Sequence, residues 1–319
     1  MVGWRSLVDS LGKMFRPVAS NGCWSKQPTP YQIQVALGRD LDGLPVPLKA
    51  FFEAGSCFKC VPQPRAYDWL AQHEERGQTF EQFKQTNLRM MPTVARNTIH
   101  LVPIGEFSSP PVDSLRTFAE AFFFGYNVEI LPGIDKLHVS RRRRGDQLHA
   151  LEIRDALAQM KPSHSFCLMG VTMADLYLEE WNFFFGMGFA SVGVGMFSFA
   201  RYFPDSYSQR GGLDDMGRKL LLKRSCKVLA HEAMHILGLK HCIYYHCLMN
   251  GSHNLEEFDI MPIFLCPVCL RKFLYATNCD PMKRYQALWA WFAQHGLQGD
   301  GGWIAKRIAQ IEMATAAST

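Results

Sequence analysis

Between residues 231 and 241 the chain reads His231-Glu232-Ala233-Met234-His235-Ile236-Leu237-Gly238-Leu239-Lys240-His241. Side chains four apart on an α-helix share a face and sit about 6 Å apart along the axis, so His231 and His235 can reach one metal ion. Glu232 projects beside that face, placed to contact a water on the metal without being a ligand. Gly238 can take a left-handed conformation and turn the chain, which lets His241 return as a third ligand. Three neutral imidazoles leave a coordination position open to water, the donor set of a hydrolytic zinc site. The pattern therefore requires a helix that ends at a tight turn.

A set of thiols follows at once: Cys242, Cys247, Cys266 and Cys269. Cys266-Pro267-Val268-Cys269 is a tight turn presenting two sulfurs to one zinc, and Cys242 and Cys247 supply a second pair. A closed four-thiolate zinc site would hold together residues 239–279, where hydrophobic periodicity is weak. Arg5, Asp9 and Lys13 interrupt the apolar residues of the N-terminal stretch, so no signal peptide is read there and an intracellular location is expected. In such a compartment the ten cysteines stay reduced, and clusters among them read as metal sites before disulfides. Cys57 and Cys60 form a lone C-x-x-C and read as structural, the alternative being a thiolate that ligates and blocks the catalytic metal. The other histidines, His73, His100, His138, His149, His164, His246, His253 and His295, lack ligand spacing and are expected on the surface or satisfied in the core.

With 319 residues, 48% of them hydrophobic, the composition is that of a globular chain of one large or two modest domains. A formal charge of +5 is too mild to argue for nucleic acid, and the basic run Arg141, Arg142, Arg143, Arg144 before Gly145 reads as a surface loop. Residues 183–200 carry no charge, but Gly186, Gly188, Gly193 and Gly195 break the run, which reads as two adjacent buried strands rather than a membrane span. Val2, Trp4, Leu7, Val8, Leu11, Met14 and Phe15 recur at helical spacing.

From residue 99 the order is strand (99–104), helix from an Asp113 N-cap to Gly125, strand (126–131), helix (146–160) and strand (165–171). Such alternation predicts a sheet with helices packed on it. The metal-binding helix starts near Asp214 or Asp215. Asp280 and Pro281 open a further helix with Met282, Tyr285, Leu288, Trp289 and Phe292 on one face, and Gly299 to Gly302 set off a short tail.

The string from His231 to Cys269, that is H-E-x-x-H-x-x-G-x-x-H-C, four residues, C-x-M, then C-x-x-C, resembles the archaemetzincin family of zinc peptidases. The similarity extends through Tyr67-Asp68-Trp69-Leu70, Phe80-Glu81-Gln82-Phe83, Asp175-Leu176-Tyr177, Trp181-Asn182-Phe183 and the run from Gly195 to Tyr202, covering roughly residues 65–295. The resemblance implies an α+β, metzincin-like fold: a mixed twisted sheet with packed helices, an active-site helix, and a C-terminal subdomain with a four-cysteine zinc site. It implies that His231, His235 and His241 hold a catalytic zinc, that Glu232 is the base and that Cys242, Cys247, Cys266 and Cys269 hold a structural zinc. Met249 would be the methionine of the metzincin turn.

The expected organisation is an N-terminal extension (1–64), a catalytic domain (65–295) with an upper part to about 238 and a zinc-stabilised lower part from 239, and a C-terminal tail (296–319). The expected function is zinc-dependent hydrolysis of peptide or protein substrates, with a catalytically silent peptide-binding module as the alternative. Tyr244, Tyr245 and His253 are candidates, by nearness in sequence alone, to stabilise an oxyanion.

Overall fold

The computed structural model describes residues 27–317 apart from 88, 107–109, 144–146, 180 and 204–211. The helical periodicity between Val2 and Phe15, like Arg144 and Gly145, lies outside the described residues. Four short helices come first: α1 (Pro30–Leu37), α2 (Val46–Lys49), α3 (Trp69–Gln72) and α4 (Phe80–Lys84). Thr29 and Thr79 open α1 and α4 with capping boxes, each hydroxyl accepting from a backbone N–H three residues on while Gln32 or Gln82 reaches back.

The predicted alternation then appears as β1 (Thr98–Ile104), α5 (Val112–Phe122), β2 (Asn127–Ile130), β3 (Arg141–Arg142), β4 (Gln147–His149), α6 (Ala150–Met160) and β5 (Ser165–Thr172). Four further strands follow, β6 (Asp175–Leu178), β7 (Trp181–Phe184), β8 (Gly186–Phe189) and β9 (Val194–Ser198). The larger sheet has the order β2-β1-β5-β9-β8, and a smaller one the order β3-β4-β6-β7. In the larger sheet β2, β1, β5 and β9 run parallel, and β8 joins β9 antiparallel as the edge. All eight residues of β5 are buried, as expected for a central strand covered on both faces.

The C-terminal half is helical: α7 (Asp215–Ile236), α8 (Leu255–Ile260), α9 (Pro267–Thr277), α10 (Pro281–Gln294) and α11 (Gln298–Ala316). Asp214 caps α7 by accepting from the Gly217 N–H at 2.7 Å. This helix is buried on nearly all sides, and its buried cations have partners. Arg224 pairs with Asp259 at 2.8 Å, and the Lys227 ammonium donates to the carbonyls of Phe258 and Met261. The result is an α+β molecule in which α7 lies between the larger sheet and the C-terminal helices.

The uncharged run 183–200 holds the two adjacent strands expected, β8 and β9, and the last two residues of β7 besides. Several expectations are corrected. Arg141 and Arg142 form strand β3 instead of a loop, and the Arg142 guanidinium sits 3.9 Å from the centroid of the Tyr177 ring. Asp113 lies in the first turn of α5 behind an N-cap at Pro111, and α6 starts only at Ala150 because Gln147–His149 form β4. Residues 239–279 contain α8 and α9, whose signal is faint because α9 is buried almost all round and so lacks a polar stripe. On α10 it is Trp291, not Trp289, that is buried, and Gly299 to Gly302 lie inside α11. That 19-residue helix is anchored: the Arg307 guanidinium donates to the Ala50 and Phe51 carbonyls at 3.1 and 2.9 Å, and Trp303 stacks on Phe264.

Candidate metal centre

Helix α7 ends as the sequence requires. Gly238 has φ +90°, its N–H donates to the His235 carbonyl at 2.9 Å and the Leu239 N–H to the Met234 carbonyl at 3.1 Å. This Schellman turn satisfies the last carbonyls of the helix and reverses the chain toward His241. Gln78, buried at the same turn, donates to the Gly238 carbonyl at 3.1 Å and accepts from the Lys240 N–H at 3.2 Å.

The turn brings together His231, His235 and His241, whose candidate ligand atoms lie within 4.8 Å of one another. Each Nδ1 faces an acceptor: His231 the Leu248 carbonyl at 2.8 Å, His235 the Leu239 carbonyl at 2.8 Å, His241 the Glu75 carboxylate at 2.6 Å. A ring nitrogen facing a carbonyl or carboxylate carries the proton, so all three imidazoles turn an unprotonated Nε2 inward. The Nε2 atoms of His231 and His235 are 2.9 Å apart with no proton left to share, an arrangement that a cation between them stabilises. Burial, with the neighbouring histidines, holds His231 well below the usual imidazole range and His235 down to about 3, so both are neutral, as ligands must be. The donor set fits zinc.

Glu232 is buried beside this cluster, and strand β8 crosses directly over it. A Cβ built on Gly188 would lie 2.3 Å from the Glu232 carbonyl oxygen, and one on Gly186 would lie 2.8 Å from its Cγ. Burial pushes the Glu232 carboxyl up to about 8, against a lowering backbone hydrogen bond from Gly188. The Tyr202 hydroxyl is buried without a hydrogen-bond partner among the described residues, and burial first, then Glu232, raises it well above the usual phenol range.

The sulfurs of Cys242, Cys247, Cys266 and Cys269 form a second cluster, fully buried, also within 4.8 Å of one another. Cys242 and Cys266 are 3.7 Å apart, close to the roughly 3.8 Å edge of a tetrahedron with Zn–S bonds of about 2.3 Å. Backbone N–H groups of Met249 and Cys266 point at the Cys247 sulfur at 3.5 and 3.3 Å. Burial first, then hydrogen bonding to Cys242, pushes the Cys266 thiol well up, so four thiolates need a cation among them. Asn250 ties the loop between the clusters, donating to the Cys242 and Tyr245 carbonyls at 2.7 and 2.9 Å and accepting from the Cys247 N–H at 2.8 Å. Met249, fully buried, accepts from the Cys242 N–H at 2.7 Å and follows the Leu248 carbonyl that orients His231.

Tyr244 and Tyr245 lie beside the cysteine cluster, whose thiolates, after burial, help raise both phenols to about 12. His253 stands one ring removed from the histidine cluster, behind Trp69, whose ring meets His253 at 5.9 Å and His241 at 5.1 Å. Neither Cys57 nor Cys60 joins the histidine cluster; Cys60 bridges the backbone of Tyr245 and is exposed. Sequence spacing missed Glu75, Gln78 and Asn250, which act from loops whose nearness to the cluster is a product of the fold. The signal for Glu75 was only its position shortly after Tyr67-Asp68-Trp69-Leu70.

Comparison with known proteins identifies the family. The profile of Peptidase family M54 matches residues 145–274. Archaemetzincin-2 of Rattus norvegicus is 37% identical over 276 residues, spanning 76% of this chain and 77% of that protein. Archaemetzincin-2 of Homo sapiens is 35% identical over 276 residues, again 76% of this chain and 77% of that protein. Among solved structures, the archaemetzincin of Methanopyrus kandleri is 26% identical, covering 59% of this chain and 99% of that chain with a TM-score of 0.47. The identity, sustained over three quarters of both chains, and the M54 match establish that this chain belongs to the archaemetzincin family of zinc metallopeptidases.

Proposed function

We propose that this peptidase hydrolyses peptide bonds at a zinc ion held by His231, His235 and His241, with Glu232 as general base, and that Cys242, Cys247, Cys266 and Cys269 hold a second, structural zinc. The observation that carries the reading is the convergence of three Nε2 atoms whose Nδ1 atoms are each spoken for. Zinc bound there supplies Lewis-acid polarisation of a peptide carbonyl and brings the pKa of water toward ~7. The Glu232 side chain, which burial alone favours as the neutral acid and a neighbouring cation would return to the carboxylate, takes the proton of the attacking water and delivers it to the leaving amine. Its buried setting beneath Gly186 and Gly188 keeps bulk water from competing for that proton.

The substrate's path follows from β8. Among the described residues this strand pairs only with β9, so its other edge can accept an extended peptide by main-chain hydrogen bonds. Because the strand runs over Glu232, a peptide added there lies beside the base. The proposed methionine of the turn is Met249, which directly follows the Leu248 carbonyl that His231 faces. The reduced cysteines this scheme needs suit an intracellular setting.

The test is mass spectrometry of a diverse peptide mixture incubated with wild type and with Glu232→Gln, zinc content being measured for both. Loss of cleavage by about 10²-fold or more at unchanged zinc is expected. Equal cleavage by the variant would remove Glu232 from the mechanism.

A further inference from the structure

His100, Glu129 and His164 form a third group of ligating side chains, with donor atoms within 4.8 Å of one another. Three strands bring them together. His100 on β1 pairs in parallel register with Glu129 on β2, and His164 immediately precedes β5 on the other side of β1. In the order β2-β1-β5-β9-β8 this is the edge remote from β8, so the group is separate from the cleft over Glu232.

The tautomer of His100 follows from its neighbours. The Ser165 hydroxyl donates its single proton to the Cys167 carbonyl at 2.8 Å, so at 3.0 Å from His100 it accepts the proton of Nδ1. His100 is 1% exposed, and its Nε2 faces the Glu129 carboxylate at 3.4 Å. A charge-assisted N–H···O bond closes to about 2.7–2.9 Å, and this contact is wider. It matches the edge of about 3.3 Å that separates two ligands of a tetrahedral ion with bonds of about 2.0–2.1 Å. The His164 ring stands across that of His100, centroids 5.0 Å apart at 74°. Lys161, whose charge opposes a cation, is engaged by the Ser165 carbonyl at 3.1 Å. The arrangement repeats that of the α7 histidines: an imidazole anchored through Nδ1, with Nε2 directed at neighbouring donors.

We propose that His100, Glu129 and His164 bind a further divalent transition-metal ion, zinc being suited to two imidazoles and one carboxylate, and that this ion ties β2 and the turn before β5 to β1. Glu129 and His164 are exposed, so water completes the coordination. Sequence spacing gave no sign of it because the ligands meet through strand pairing alone.

The test counts zinc per chain by mass spectrometry of the full-length protein equilibrated with buffered micromolar free zinc, comparing wild type with His164→Ala and Glu129→Gln. Both side chains are exposed, and circular dichroism with the melting temperature in the absence of added zinc checks that the variants remain folded. One equivalent fewer in each variant is expected, whatever number the other clusters hold, so the outcome does not depend on the peptidase reading. Added zinc should also raise the wild-type melting temperature by a few degrees more than that of either variant. Equal zinc counts, or equal zinc-dependent shifts in melting temperature, would overturn the proposal.

Discussion

The Glu75 carboxylate lies 2.6 Å from Nδ1 of His241, a residue 166 positions further along the chain. The same oxygen accepts the indole N–H of Trp69 at 2.9 Å, and that indole packs edge-on against the His241 ring. Glu75 thus fixes both the tautomer of the third histidine and the aromatic wall behind it. Carboxylates that hold the far nitrogen of a metal-ligating histidine in this way contribute about 10–100-fold to metal affinity or activity. Glu75→Ala is expected to weaken zinc binding by that factor in competition with a chelator, and Glu75→Gln, which keeps an acceptor oxygen, by less. Unchanged affinity in both would leave His241 positioned by the backbone alone.

Gly188 is expected to be intolerant of any side chain. Its Cβ would overlap the Glu232 carbonyl, a backbone atom held within the last turns of α7 that cannot swing aside. Gly188→Ala must therefore lift β8 from α7, destabilising the fold by at least about 1–3 kcal/mol and displacing the strand proposed to bind substrate. Denaturant unfolding reads the first effect and the KM for a cleaved peptide the second. A variant normal in both would mean that β8 does not pack as closely as this.

How much of this was legible in the sequence depended on whether a residue's partners are local. The histidine cluster and the turn at Gly238 could be read because helical geometry relates residues 231 and 235 directly and the glycine turn returns residue 241 toward them. Glycines 186 and 188 were seen as strand breakers, but their reason, the backbone of α7 passing beneath them, is a tertiary contact. Helix α9 escaped because a helix buried almost all round, with only Tyr275 exposed among its residues, lacks a polar stripe, and its Lys272 ammonium reaches the Gln78 carbonyl far away in sequence. Glu75 and Asn250 were invisible for the same reason: each is an ordinary polar residue until the fold sets it against a ligand or a loop.

The four-cysteine cluster should behave as a folding element. Its sulfurs are buried between α9 and the loop that carries the Leu248 carbonyl, so an empty site leaves thiol groups packed without a cation. Cys269→Ser is expected to remove one zinc per chain, lower the melting temperature and abolish cleavage, although Cys269 is not part of the histidine cluster. Limited proteolysis should then cut within residues 239–279. Full zinc content in that variant would show that Cys269 is not a ligand.

Glu257 links stability to pH. Its carboxylate accepts from the backbone N–H groups of Trp69 at 2.8 Å and His253 at 3.3 Å, which tethers the segment that also presents Trp69 and Glu75 to His241. Burial pushes this carboxyl up to about 7, with Asp68 adding to the rise, while the two N–H groups and Arg65 pull it down without prevailing. In an unfolded chain a glutamate titrates near 4.3, so between that pH and 7 the folded state binds the extra proton. Stability from this group is therefore complete in acid and lost as pH rises through about 7. Glu257→Gln, which stays neutral and keeps one acceptor, should flatten that part of the profile. The measurement is the melting temperature of wild type and variant from pH 4.5 to 8, taken as a difference so that the histidines cancel. A difference that stays constant across the range would mean that Glu257 titrates as an ordinary carboxylate and that the tether is held in its charged form.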